Sequence, residues 1–285
     1  MTEKFEADDR LPAFEIRLIE SGDEGSDFRT QNDPSYPLQR TNVVERRGVI
    51  DIRCNCVDVI HGFLNNDVSP ATLLVYEFHF DPRKKARRIS TVDIEFSFSS
   101  ESGQEPEVLK ISNKGRMVLR PTSQMETVTK GGEAKAGVNF LSAELGGFWK
   151  WENTIRRETK DATTIVGTID LPHGGRNYGA PNTAAWTLIE NQTLKTGVPA
   201  YLRTAVLLSR RNGDEDFFST FKIKSKVDLI SGFTQLFGRT PKDDPILYDA
   251  TLPPTNKLRH YDASSLSEVN LQELAQASFE APFES

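Results

Sequence analysis

Cysteine is nearly absent: the 285-residue chain has 2, Cys54 and Cys56, too few for a disulfide-stapled secreted scaffold. Two residues apart on a strand, they would point to one face with Cα atoms about 6.6–6.8 Å apart, the outer limit for a disulfide. In Ile50-Asp51-Ile52-Arg53-Cys54-Asn55-Cys56 they read as small buried hydrophobes. Histidine is scarce as well, with 4 in the chain. A metal site from Cys54, Cys56 and His61 lacks the C-x2-C spacing and second ligand pair of structural zinc, so no metal is expected. No apolar run reaches the roughly 18–20 residues of a membrane helix. Met1 to Arg10 carries no apolar stretch like that of a secretion leader. These absences predict a cytoplasmic protein without a transmembrane span, in which the sequon Asn191-Gln192-Thr193 has no role.

Catalytic and cofactor signatures are missing too. Gly131-Gly132 and Gly146-Gly147 lack the lysine and following helix of a phosphate loop, so no cofactor is expected. His173-Gly174-Gly175 looks like an esterase oxyanion loop, but no G-x-S-x-G nucleophile turn accompanies it. A net charge of −6 and a pI near 5.4 argue against nucleic acid, whose binding domains usually exceed pI about 9.

What is present is alternation. Tyr76, Phe78 and Phe80 fall on one face of their segment, and Val92, Ile94, Phe96 and Phe98 alternate with Asp93, Glu95 and Ser97. One wet and one dry face per strand is the pattern of antiparallel sheets. Turn residues at Ser112-Asn113-Lys114-Gly115 and Arg211-Asn212-Gly213-Asp214 predict two hairpins. The second would set Arg210 against Glu215 and Arg211 against Asp214. It would also set Arg203 against Lys222, a like-charge misfit.

Further strands are expected at 134–141, 148–155, 163–171 and 184–190. The fold class is mainly β: an antiparallel β-sandwich of roughly a dozen strands, with a short helix after the last hairpin (227–237) and a C-terminal helix (265–277). Residues 1–42 hold a short strand at 14–18 and a polar, exposed segment. Residues 43–240 form the sandwich and its following helix, and 241–285 an extended tail and terminal helix packed on it. Ile246, Leu247, Tyr248 and Leu252 make that tail too apolar for a linker.

The segments 184–191 (AAWTLIEN), 197–208 (GVPAYLRTAVLL) and 243–249 (DDPILYD) resemble predicted proteins of filamentous fungi that have no known activity. The resemblance implies a eukaryotic cytosolic setting and carries no site residue.

Two surfaces remain as sites. Arg83, Lys84, Lys85, Arg87 and Arg88 gather positive charge in one loop of an acidic protein, suited to an acidic protein partner or an anionic surface. Charge reversal at Arg87 and Arg88 is expected to leave the fold intact. Trp149 and Trp151, on one face of 148–155, and Trp186 could wall a small-molecule pocket. The leading reading is a non-catalytic intracellular binding or interaction protein. The alternatives are a cyclase- or isomerase-type enzyme with an aromatic-lined pocket and a peripheral anionic-lipid-binding module.

Overall fold

The computed structural model describes residues 29–47, 50–65, 68–82, 88–130, 153–171, 178–228 and 243–280. Its strands are β1 (Asn42–Arg46), β2 (Ile50–Phe63), β3 (Pro70–Pro82), β4 (Arg88–Ser99), β5 (Glu107–Ile111), β6 (Gly115–Lys130), β7 (Asn153–Asp170), β8 (Thr183–Ile189), β9 (Tyr201–Ser209), β10 (Phe217–Asp228), β11 (Ile246–Tyr248) and β12 (Gln276–Ser278). They form two six-stranded sheets. Sheet 1 runs β1-β2-β3-β9-β12, with β5 also on β9; sheet 2 runs β11-β10-β4-β8-β7-β6. All pairings between these strands are antiparallel. The mainly β, antiparallel architecture is the one the alternation predicts.

The dry faces meet between the sheets. Val92, Ile94, Phe96 and Phe98 of β4 oppose Tyr76, Phe78 and Phe80 of β3, all at most 1% exposed. The Tyr76 and Phe96 rings stack with centroids 4.1 Å apart. Sheet 1 is also covered on its outer side, where Leu73, Val75, Ala205 and Leu207 pack against Leu266, Leu271 and Leu274 of the C-terminal tail. Hence β3 reads as a continuous apolar run through Leu73-Leu74-Val75-Tyr76, because both of its faces are dry.

Both predicted hairpins are crossovers between sheets. β5 pairs with β9 in sheet 1, whereas β6 pairs with β7 in sheet 2. Asn113 (φ 55°) and Gly115 (φ 80°) turn the chain between them. Gly167 of β7 must be glycine, since a Cβ there would lie 2.3 Å from the Asn113 carbonyl oxygen. Likewise β9 belongs to sheet 1 and β10 to sheet 2. Arg210 is buried rather than set against Glu215, and Arg203 lies opposite Glu77. Lys222 lies opposite Glu95, at 2.8 Å between charged atoms. The like-charge misfit of the hairpin reading is replaced by two opposite-charge pairs.

The C-terminal segment is also broken differently. In place of one helix over 265–277 there is a 3-10 turn (Leu266–Glu268), α1 (Leu271–Leu274) and β12. Val269 and Asn270 adopt extended backbone, and the Asn270 side chain accepts the Gln272 N–H to cap α1. Val227 and Asp228 continue β10 instead of starting a helix. The remainder of that predicted helix, the strand at 14–18 and the strand at 134–141 lie outside the described residues.

Candidate functional site

Of the cationic loop, Arg83, Lys84, Lys85 and Arg87 lie outside the described residues. Arg88 opens β4 and is committed to the fold: its Nε is 3.0 Å from Glu190 Oε2, whose side chain is 6% exposed. The same oxygen accepts the Gly197 N–H at 3.1 Å. Reversing charge at Arg88 would set a second negative charge against a buried carboxylate, which argues against the expectation that this change leaves the fold intact. Trp149, Trp151 and His173 are outside the described residues. Trp186 is fully buried between the sheets, and its Nε1–H donates to the Ser112 carbonyl at 3.0 Å. It fastens the β5–β6 crossover to sheet 2. The sequon residue Asn191 is fully buried too.

Asp58 is a buried acid that sequence reading passed over. A bulge in the β2–β3 register between Cys56 and Asp58 aims it at the tail. Its carboxylate accepts from Thr255 Oγ1 (2.9 Å), Lys257 N (2.7 Å), Leu258 N (3.2 Å) and Tyr261 Oη (3.0 Å). Its signal was an acid inside Cys56-Val57-Asp58-Val59-Ile60, an otherwise apolar strand. Cys54 and Cys56 nearby are free and buried. Burial raises both thiols, Cys56 to about 12. Among the described residues no group of His, Cys, Asp and Glu side chains is arranged to hold a metal ion.

At another corner of sheet 1, His61 is 7% exposed. Its Nδ1 lies 2.9 Å from Thr72 Oγ1 and its Nε2 lies 2.8 Å from Gln39 Nε2. Its ring meets Phe217 of β10 edge-on at 6.2 Å. Burial, and then the Arg210 cation, depress its pKa to about 4 against a weaker pull from Asp249. Arg210 is itself 7% exposed and donates to the carbonyls of Gly213 (2.5 Å), Ala71 (3.3 Å) and Asn212 (3.4 Å). It closes the loop between β9 and β10, the role the sequence assigned to an Asn-Gly turn.

Residues 29–41 form a strap across the tail. Arg29 pairs with Asp244, and Arg46 pairs with Asp243 at 2.5 Å. The Thr30 and Asn32 N–H groups donate to Asp243 and Asp244. Leu38 bridges to Leu247 of β11. The Arg29 hydrogen bond holds the Asp244 carboxyl below its ordinary value.

The most unusual element is the β6–β7 ribbon. β8 pairs with β7 only from Thr164 to Asp170. Beyond that point β6 and β7 continue together for nine successive pairs, from Thr122↔Asp161 to Lys130↔Asn153, a length of about 30 Å. Among the described residues no strand pairs with the outer edge of β6, nor with β7 over 153–162. A register irregularity between Leu119 and Thr122 accommodates Pro121, which a regular ladder tolerates poorly.

No protein-family model matches the chain, and no curated protein matches it. Among solved structures it is similar to the Clostridium perfringens NetB toxin in the membrane-inserted form, at TM-score 0.27 and 8% identity over 62% of this chain and 78% of that one. A pore-forming protein gives TM-score 0.30 and 7% identity over 64% and 87%. Clostridium perfringens delta-toxin gives 0.22 and 11% over 72% and 91%. Likeness at this level carries no argument about what the chain does.

Proposed function

We propose that the protein is a non-catalytic interaction protein that associates with copies of itself through the β6–β7 ribbon. The observation that carries this reading is the ribbon's nine pairs, on whose outer edges no strand pairs among the described residues. A two-stranded ribbon alone is marginal in water, and open edges are templates for further strands. A partner strand on one edge would leave the other exposed. Several copies can satisfy both, because β6 of one copy can meet β7 of the next in the antiparallel sense, and a series whose rotation closes is a ring without edges. The non-catalytic part is supported by the use made of the buried ionisable groups. Asp58, Glu190, His61 and Arg210 are each spent on contacts that hold chain segments together.

The test is sedimentation velocity across a range of concentrations, with and without anionic vesicles, for wild type and for Thr127→Pro and Val128→Pro. Adjacent strand N–H groups point to opposite edges, so one variant damages the ribbon's own ladder and the other blocks only the outer edge. Assembly in wild type that the outer-edge proline abolishes, with an unchanged melting temperature, supports the reading. A monomer under every condition refutes it. Vesicle binding without assembly favours the lipid-binding module instead.

A further inference from the structure

We propose that the corner where the strap and the tail converge on His61 is an acid-operated latch, whose protonation frees strap residues 38–41 from β2 and β11. The hydrogen bonds around His61 admit one arrangement. Gln39 Nε2 donates to the Asp249 carbonyl at 3.2 Å, which fixes the amide with its nitrogen toward His61. His61 Nε2 therefore accepts at 2.8 Å, and Nδ1–H donates to Thr72 Oγ1 at 2.9 Å. A second proton on the ring would set an N–H against the Gln39 amide N–H. Flipping the amide does not help, since it turns the Gln39 oxygen onto the Asp249 carbonyl, another acceptor.

The charges facing the ring come from two elements. Arg210, in the loop between β9 and β10, opposes protonation, and Asp249, in the tail, favours it. The Asp249 carboxylate is already engaged by Thr251 N at 2.9 Å and Thr251 Oγ1 at 2.6 Å. The strap, β3 and β10 contribute only the neutral Gln39, Thr72 and Phe217. Burial and Arg210 prevail, holding the closed-state imidazole near 4, whereas a hydrated histidine titrates at about 6.5. The closed latch is neutral and the open one takes the proton. Closure is thus complete above about pH 6.5 and weakens as pH falls toward 4, shifting the open-to-closed ratio by up to about 300-fold. The Arg29–Asp244 pair still tethers the start of the strap and the Arg46–Asp243 pair holds β1, which follows it, so the movement is local. It breaks the bonds from Gln39 N to Leu247 O (2.7 Å) and from Cys56 N to Thr41 O (2.8 Å).

Hydrogen exchange on the whole chain tests this, followed by mass spectrometry from pH 7.5 to 4.0 and corrected for intrinsic rates. Peptides containing Gln39 and Cys56 should lose up to about two orders of magnitude of protection below pH 6.5. A β4 peptide over 92–98 should stay protected, and His61→Gln should remove the pH dependence at the strap. Constant protection in wild type, or the same loss in His61→Gln, overturns the latch. If that variant does not fold, the ring-proton titration of His61 in wild type decides. A midpoint below 5 with the strap protected above it supports the latch, and a midpoint near 6.5 with the strap still closed overturns it. The ribbon is not involved, so this outcome and the assembly test stand apart.

Discussion

The Tyr76 and Tyr248 hydroxyls meet 3.0 Å apart at the centre of the core, one from each sheet, and Ser219 lies 3.3 Å from the second. Both phenols are fully buried, and burial drives their pKa values well above the ordinary range. The pair fixes the tail strand β11 to sheet 1 across the sandwich. Tyr248→Phe should cost about 1–3 kcal/mol by leaving the Tyr76 hydroxyl without its partner. The phenols favour the folded state below about pH 10, and that contribution is lost as pH rises further, because only the unfolded chain ionises there. Urea unfolding of wild type and variant between pH 8 and 11 measures both effects, and the alkaline loss should be smaller in Tyr248→Phe.

Asp58 should be the chief anchor of residues 255–261. Asp58→Ala removes the acceptor for Thr255, Lys257, Leu258 and Tyr261 together, at a cost on the order of 3 kcal/mol. Chemical unfolding gives the cost, and protease cleavage within 255–261 under native conditions should appear only in the variant.

Both thiols should be inert in the folded protein. Burial keeps Cys54 and Cys56 protonated, and the thiolate is the reactive form. A thiol reagent at pH 8 should label neither rapidly until denaturant is added, after which both react.

Arg88 should behave as a structural residue and not as a binding one. Arg88→Glu leaves Glu190 buried against a like charge and should cost at least about 2 kcal/mol, short of the ~3–5 for a fully buried pair because Arg88 is partly exposed. Thermal unfolding shows this directly. A test of the cationic loop on binding therefore belongs at Arg83, Lys84, Lys85 and Arg87, with Arg88 kept.

The layer structure was legible because alternation reports burial, as in Val92-Asp93-Ile94-Glu95-Phe96. Connectivity was not. An Asn-Gly pair favours a tight turn but does not say whether the strands it joins share a sheet, and here Arg210 closes a loop between sheets. The clue was the clash of Arg203 with Lys222, which resolves once each faces a glutamate on another strand. Most of the ribbon was missed for a related reason, since of the expected strand 148–155 only 153–155 are described, at the start of β7. β7 from Asn153 to Asp161 reads NTIRRETKD and β6 from Thr122 to Lys130 reads TSQMETVTK. Sequences this polar give no period to detect, since periodicity marks a strand only where one face meets a core. His61 and Asp58 became informative only when residues about 20 and 200 positions away closed over them.

Self-association through the ribbon is tested most directly by heterotypic cross-linking. One preparation carries Thr127→Cys on β6 and a second carries Arg156→Cys on β7, positions that are partners within a single ribbon. The native cysteines are buried and stay silent. Neighbouring Cys positions on each strand are included to scan the register between copies. On mixing and oxidation, β6-to-β7 disulfides between copies should form and dominate over β6-to-β6 and β7-to-β7 products. Equal amounts of all three, or none beyond those given by a cysteine on the outer face of β4, would contradict the account.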